Sequence, residues 1–381
     1  MKIGITCQAT VGGSGILASE LGIALARRGH EVHFVSMETP YRLSHFESNL
    51  FAHSVDTITY PLFKLPPYSI ALAAKISEVA EEFGIQVWHS HYAIPNAVAA
   101  LQGRAMLPPD RRFAVVTTLH GTDITLVGGH PSFYRATRYA LENSDAITAV
   151  SRWLSTETRR EFQPSKPVRT IYNFLDADRF QARAGNRSTL AGPDEKILMH
   201  ISNFRPVKRV TDVVRVFKKV QEHMPARLIM VGDGPERLSA AGVAKQLGIA
   251  DKILYVGNHD TIEDLLPCAD LVINPSEHES FGLVPLEAMA CEVPVIVTNS
   301  GGVAEVVLHE ETGFLCEVGD IETMAQYAIS ILNDPERARE MGKRGRIHVM
   351  SRFPQEEIVS QYEALYREVI ERYAISAAEG G

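Results

Sequence analysis

Residues 10–29 read TVGGSGILASELGIALARRG. An apolar run from Ile3 to Cys7 stands before this stretch, and another from Val32 to Ser36 follows it. Its second half carries apolar residues at helical spacing, and glycines fill the turn that leads into it. Strand, glycine turn, helix, strand is the opening unit of a parallel sheet covered by helices. Gly13, Gly15 and Ala18 also fit G-x-G-x-x-[G/A], and Glu38 falls about where that fingerprint sets an acid for a ribose. Glycines let backbone N–H groups approach an anion, and the helix start adds a favourable field. The same physics serves NAD, a nucleotide sugar or any phosphate or carboxylate, and a plain tight turn would need the same small residues.

Outward from this unit the pattern repeats. The short apolar runs KIGITC, EVHFVS, VWHSH, AVVTTL and AITAV alternate with amphipathic stretches such as Ile70 to Phe83 and Ser132 to Glu142. The alternation pauses at DADRFQARAGNRSTLAGPDE, residues 176–195, which reads as a linker. It restarts with KILMHIS, RLIMVG, KILYVG, DLVINPS and VPVIVT. The expectation is an α/β protein of two Rossmann-like domains facing a central cleft. They span 1–173 and 195–355, with a linker at 174–194. Pro354 to Tyr373 is a long amphipathic helix with Ile358, Tyr362, Leu365, Val369 and Tyr373 on one stripe.

Length and composition narrow the classes. The chain has 381 residues, enough for two ordinary cores, and a net charge of −8, which argues against a nucleic-acid binder. Basic pairs at Arg27-Arg28, Arg159-Arg160 and Lys218-Lys219 fall on helical stretches and read as solvated faces. Cys7, Cys268, Cys291 and Cys316 show no C-x-x-C spacing, so neither a disulfide framework nor a cysteine zinc site is expected. The apolar run at the N-terminus is too short for a signal peptide, and no stretch has the length of a membrane span. A cytoplasmic protein without stable membrane association is expected, with a homodimer left open.

The most informative stretch lies in the second half: ESFGLVPLEAMACEVPVIV, residues 279–297. Glu279 falls in the loop between a strand and a helix, and Glu287 in the helix's first turns. A carboxylate there can accept two hydrogen bonds from a ribose diol. Ser280, Phe281, Gly282 and Leu283 place free N–H groups at the helix start. Simple helix-dipole complementation is the duller reading, but Glu279 lies too early to be an ordinary first-turn acid.

With SNFRPVKR at 202–209 and VGDGPE at 231–236, the Glu279-x7-Glu287 pair resembles the retaining family-4 glycosyltransferases of GT-B architecture. The resemblance runs along essentially the whole chain, including a terminal helix, 356–381, that packs back on the N-terminal domain. It implies that Glu279 faces the donor sugar, Glu287 binds the ribose and Lys208 contacts the diphosphate. Gly15, Phe281, Gly282 and Leu283 join them in the donor site. Many members carry Gly-Arg where this chain has Ser202-Asn203. Asn203 is placed in the donor site and Arg205 supplies the missing charge. Charge developing on a departing diphosphate is what Lys208, Arg205 and a helix N-terminus can stabilise.

In TTLHGTDIT, 117–125, a strand ends at His120, where α/β proteins bind ligands. The resemblance implies a histidine bonded to the donor sugar near the reacting carbon, so His120 joins Lys208 and Glu279 as a catalytic candidate. His89 and His91 share one strand face and could bind a metal with His120, but no carboxylate accompanies them. Asp176 and Asp178 sit at the domain junction and read as structural. GT-B enzymes typically need no metal, so neither metal nor cofactor is expected.

The segments LPPYSIALAAK, HSHYAIPN, TTLHGTDIT and IYNF resemble the subgroup that joins N-acetylglucosamine from UDP-N-acetylglucosamine to L-malate in bacillithiol biosynthesis. Its relatives in mycothiol biosynthesis use inositol phosphate. A small dianion needs cations and donors. Gly13, Ser14, Lys75, Tyr92, Thr122 and Arg138 are the acceptor-site candidates. The competing readings are an NAD-dependent oxidoreductase and a two-domain periplasmic-type sugar binder. The first leaves Glu279, Glu287 and Lys208 idle. The missing signal peptide counts against the second.

Overall fold

In the computed structural model, residues 1–8, 13–39, 43, 47–57, 66–259 and 261–379 are described, with side chains as far as 375. Contacts divide the chain into Met1–Asn173 with Glu356–Gly381, and Phe174–Gln355.

The first unit is built on a wholly parallel sheet of β1 (Lys2–Thr6), β2 (Glu31–Ser36), β3 (Leu50–Ser54), β4 (Val87–His91), β5 (Ala114–Leu119), β6 (Ala146–Ala149) and β7 (Val168–Thr170). Its order is β3-β2-β1-β4-β5-β6-β7. The apolar runs read from the sequence become its central strands because both faces are covered: β4 and β5 are buried throughout. Strand order reverses between β1 and β4, and ligands of such sheets bind at the carboxyl ends there. The helix Gly13–Arg27 starts after β1, as the sequence predicts. Thr10 to Gly12 lie outside the described residues.

The second unit repeats the plan with β8 (Lys196–Ile201), β9 (Ala226–Val231), β10 (Ile253–Gly257), β11 (Leu271–Asn274), β12 (Val295–Thr298) and β13 (Phe314–Cys316). The order is β10-β9-β8-β11-β12-β13, all parallel, with its reversal between β8 and β11. Its core closes around Phe204, Phe217, Leu271, Ile273 and Phe314.

Two sequence expectations change. The polar stretch 174–194 is fastened to the second unit rather than left as a linker: Arg179 pairs with Glu263, Arg183 with Asp264 and Arg187 with Asp270. Its arginines find carboxylates that are remote in sequence. Leu175 also bridges Pro354, its N–H donating to Phe353 O at 3.2 Å. Arg28 is not on a solvated face. It binds Glu356 at 2.5 Å and Glu363 at 2.9 Å, on the long helix Gln355–Glu379. That helix packs on the first unit with Ile358, Val359, Tyr362, Leu365, Tyr366 and Val369 buried. The stripe seen in the sequence is this seam. Tyr366 Oη reaches His89 Nδ1 at 2.6 Å. No helix among the described residues is long and apolar enough to cross a membrane.

Candidate active site

In the second unit, four segments converge at the β8/β11 reversal. After β8 the chain turns through Ser202-Asn203-Phe204 into the single turn Pro206–Lys208. His200 anchors this turn. Its Nδ1 bonds Ile273 O at 2.8 Å, and its Nε2 lies 2.8 Å from Ser202 Oγ. Burial pushes that imidazole down to about 4, so it is neutral. The turn also carries VGDGPE on its back. A Cβ on Gly234, whose φ is +157°, would stand 2.1 Å from Asn203 O.

After β11 come Asn274 and Ser276, and then Glu279. Lys208 Nζ donates to Glu279 Oε1 at 2.6 Å. Ser276 Oγ donates to the same oxygen at 2.7 Å, and Asn274 Nδ2 at 3.3 Å. Burial pushes the Glu279 carboxyl up, but Lys208 and the two neutral donors outweigh it, and its pKa lies below the ordinary value. The carboxylate is therefore ionised, with Oε1 tied and Oε2 open among the described residues. Lys208 keeps two further N–H donors.

The backbone of Glu279 is held as firmly as its side chain. Glu279 N–H donates to Ser300 O, and its carbonyl accepts from Gly302 N–H at 2.7 Å. Gly301 passes between them with φ +86°, and a Cβ there would lie 2.2 Å from Glu279 O. Only glycine fits. The NSGG turn at 299–302 is thus part of the site, and the sequence reading missed it. The strand-end pattern VPVIVTNSGG was the available signal.

Phe281 is buried edge-on against Phe353, and Gly282 starts the helix Leu283–Ala290. Its first intrahelical bond runs from Leu286 N–H to Gly282 O, and Pro285 has no N–H. The amides of Gly282, Leu283 and Val284 are left without intrahelical partners. Glu287 is 8% exposed, in the helix's second turn. Arg205 and Asn203 are exposed on the turn. Arg209, next in the chain after that turn, pairs with Asp212 and Glu277.

In the first unit, a second group gathers at the β1/β4 reversal. Ser14, at the start of the first helix, donates to Tyr92 Oη at 2.9 Å. Tyr92 follows β4 in a left-handed conformation, φ +83°. Asp123 ties the turns after β4 and β5 together. Its Oδ2 accepts from Ala93 N–H at 2.9 Å, and its Oδ1 from the N–H groups of His120 and Gly121 at 3.2 and 3.0 Å. Burial raises this carboxyl to about 6 despite those bonds. His120 touches His91, and its ring lies tilted beside that of Tyr92 with centroids 5.3 Å apart. Gly13, Ser14, Gly15, Tyr92, His120 and Thr122 thus share one end of the sheet. Lys75 pairs with Glu78 on its own helix at 3.0 Å, and Arg138 is exposed on the helix Pro131–Asn143. No bond joins either to the His120 group among the described residues.

His89 has both ring nitrogens engaged, with Tyr366 and with Thr118. Among the described residues no group of three His, Cys, Asp or Glu is arranged to hold a metal ion. Asp176 Oδ1 accepts from the N–H groups of Asp178 and Arg179, which makes it a turn residue.

Residues 11–179 match the model for Glycosyltransferase Family 4, and residues 184–348 the model for Glycosyl transferases group 1. Over 373 residues the chain is 46% identical to the N-acetyl-alpha-D-glucosaminyl L-malate synthase of Bacillus anthracis, covering 97% of each chain. The chain is a family-4 glycosyltransferase. Solved structures agree on the fold. Sucrose-phosphate synthase from Thermosynechococcus elongatus superposes with a TM-score of 0.82 at 24% identity, over 98% of this chain and 100% of that one. Anabaena HepE, solved with UDP and glucose, gives 0.81 at 20% identity, over 96% and 99%. The glycosyltransferase thus has two parallel-sheet domains of the GT-B class, and the oxidoreductase and sugar-binder readings fall away.

Proposed function

We propose that this glycosyltransferase moves N-acetylglucosamine from UDP-N-acetylglucosamine to the hydroxyl of L-malate, opening bacillithiol biosynthesis in the cytoplasm. The identity of 46% over 97% of both chains to the N-acetyl-alpha-D-glucosaminyl L-malate synthase carries the reading. An α-linked product from an α-linked nucleotide sugar means retention at the anomeric carbon.

The second unit holds the donor. Glu287 accepts from the ribose diol, and Lys208 and Arg205 meet the diphosphate as its charge grows. The amides of Gly282, Leu283 and Val284 add donors beside Phe281, and Glu279 turns its open Oε2 to sugar hydroxyls. Lys208 bound to Glu279 keeps that carboxylate a poor nucleophile. Attack from the face that the phosphate leaves follows, with a departing phosphate oxygen taking the malate proton. Asn203 lines the same turn, and Gly15 faces the diphosphate. On the first unit, Gly13, Ser14, Tyr92 and Thr122 receive malate, with Lys75 and Arg138 supplying charge, and His120 meets the sugar. Positioning and electrostatics supply the catalysis, with no metal or cofactor.

A UDP-release assay crossing UDP-N-acetylglucosamine and UDP-glucose with L-malate, inositol phosphate or no acceptor tests this. Release that requires both UDP-N-acetylglucosamine and malate, with an α-anomeric proton in the product, supports it. Faster turnover with inositol phosphate would overturn the acceptor, and a β-linked product the retention.

A further inference from the structure

His91 ends β4, and His120 follows the neighbouring strand β5. His91 Nδ1 lies 2.9 Å from His120 Nε2. A bond between two imidazoles needs one N–H and one lone pair. Burial lowers His120 to about 3 and His91 well below its ordinary value, so each ring carries a single proton at neutral pH.

Two arrangements satisfy that bond. In one, His120 Nε2 donates, and the proton of His91 sits on its own Nε2. That nitrogen is buried and has no partner among the described residues, so an N–H would be stranded in the interior. In the other, His91 Nδ1 donates and its Nε2 is a bare lone pair. A stranded buried donor is the rarer and costlier outcome. The proton of His120 then lies on Nδ1, which no described residue binds. The frame is fixed as well: Asp123 holds the His120 backbone N–H, and His91 packs at a tilt against His89 with ring centroids 4.3 Å apart.

We propose that His91 is a positioning residue that donates to His120 Nε2 and fixes His120 as the Nδ1-protonated tautomer. The open nitrogen of His120 is then a hydrogen-bond donor and never a base. This rests on the transferase reading above for its consequence: His120 can donate to a sugar hydroxyl but cannot take the malate proton, which goes to the departing phosphate.

Long-range ¹H–¹⁵N spectra of the full chain labelled at histidine, with His120 assigned by loss of its signals in His120→Gln, read the tautomer directly. The expected pattern is a protonated Nδ1 and a bare Nε2. A protonated Nε2 on His120 would overturn the proposal whether or not the chain transfers a sugar. Kinetics give the second arm. His91→Asn places an amide N–H where Nδ1 sits, and His91→Leu fills the space without a donor. We expect His91→Leu to lower kcat for UDP release about tenfold or more with both KM values held within about twofold, the loss of one hydrogen bond's worth of orientation. His91→Asn should restore kcat to within about threefold of the parent. Equal loss in both variants, or full kcat in His91→Leu, would overturn the role. Should His91→Leu fail to fold, the spectra of the parent chain decide. The expected tautomer in a chain that releases no UDP with malate would uphold the assignment and remove the activity reading instead.

Discussion

Replacing Lys208 by methionine keeps the length of its stem and removes its charge. Glu279 would keep Ser276 and Asn274 but lose the ammonium 2.6 Å away. The two side chains are 20% and 14% exposed, so water only partly compensates. Stranding a fully buried carboxylate costs about 3–5 kcal/mol; with this exposure and two donors left, about 2 kcal/mol is expected at neutral pH. In a domain of this size that lowers the melting of the second unit by about 4–8 °C. The pH dependence carries the test. The parent's Glu279 carboxyl is held below its ordinary value, so its contribution is present above the normal glutamate range and is lost as pH falls through the lowered value. Without Lys208, burial becomes the dominant influence and raises the carboxyl, so the variant's penalty grows as pH climbs above about 4.3. The gap in Tm between parent and Lys208→Met should therefore be widest near pH 7 and close toward pH 4. Lys208→Met/Glu279→Gln should melt above Lys208→Met, since the stranded charge is gone. Calorimetry from pH 4 to 8 measures both. A gap independent of pH, or a double variant no more stable than the single one, would refute the reasoning. Turnover in Lys208→Met should fall by about 10²–10³ if the lysine meets charge in the transition state.

Glu287→Ala should weaken UDP binding by about tenfold or more, the loss of hydrogen bonds to a charged group, as read by titration calorimetry; unchanged affinity removes its ribose role. Arg138→Ala should raise the KM for malate and leave that for the donor; equal KM values would take Arg138 out of the acceptor site. Gly301→Ala forces a Cβ against Glu279 O from a left-handed backbone and should cost about 2 kcal/mol or more in urea unfolding; a silent substitution would mean that the NSGG turn yields. Acid should unfold the first unit readily. His89 and His120 are held at about 3 and His91 well below its ordinary value, so the unfolded chain binds more protons below about pH 6.5 and stability falls as pH drops. Asp123, raised to about 6, opposes this with one proton. Both tryptophans, Trp88 and Trp153, belong to that unit, so their fluorescence should report a Tm that drops from pH 7 to 5; a flat profile would show that the histidines are not neutral in the fold.

Much of this was legible in the sequence, for physical reasons that also set where legibility stopped. Most strands of both sheets announce themselves as apolar runs because parallel strands are buried on both faces. Glu279 stands out because it lies too early to be an ordinary first-turn acid, whereas Lys208 by itself reads as a surface helix start and is singled out only by the family resemblance. β3, β7 and β13 were missed: LFAHS, VRT and FLC are short edge strands, none long enough to carry a sustained apolar signal. The arginines of 174–194 looked like linker residues because their partners lie some eighty positions away. The clamp of Gly301 and Gly302 on Glu279, and the convergence of Ser276 and Asn274 on one oxygen, depend on where β11 and β12 end. Local spacing does not encode that. Lys75 drew notice as a cation on an apolar helix, and Glu78, the partner one turn along, was visible in the same segment.

The bridge between Leu175 and Pro354 makes residues 174–355 a cassette spliced into a host fold, leaving it beside the point where it arrived. Such an insert carries its own hydrophobic centre and needs no scaffold to bring its ends together. Cut out as a free-standing fragment, it should fold on its own, whereas the host, interrupted in its own sequence, must wait for its last helix to be made before it can close.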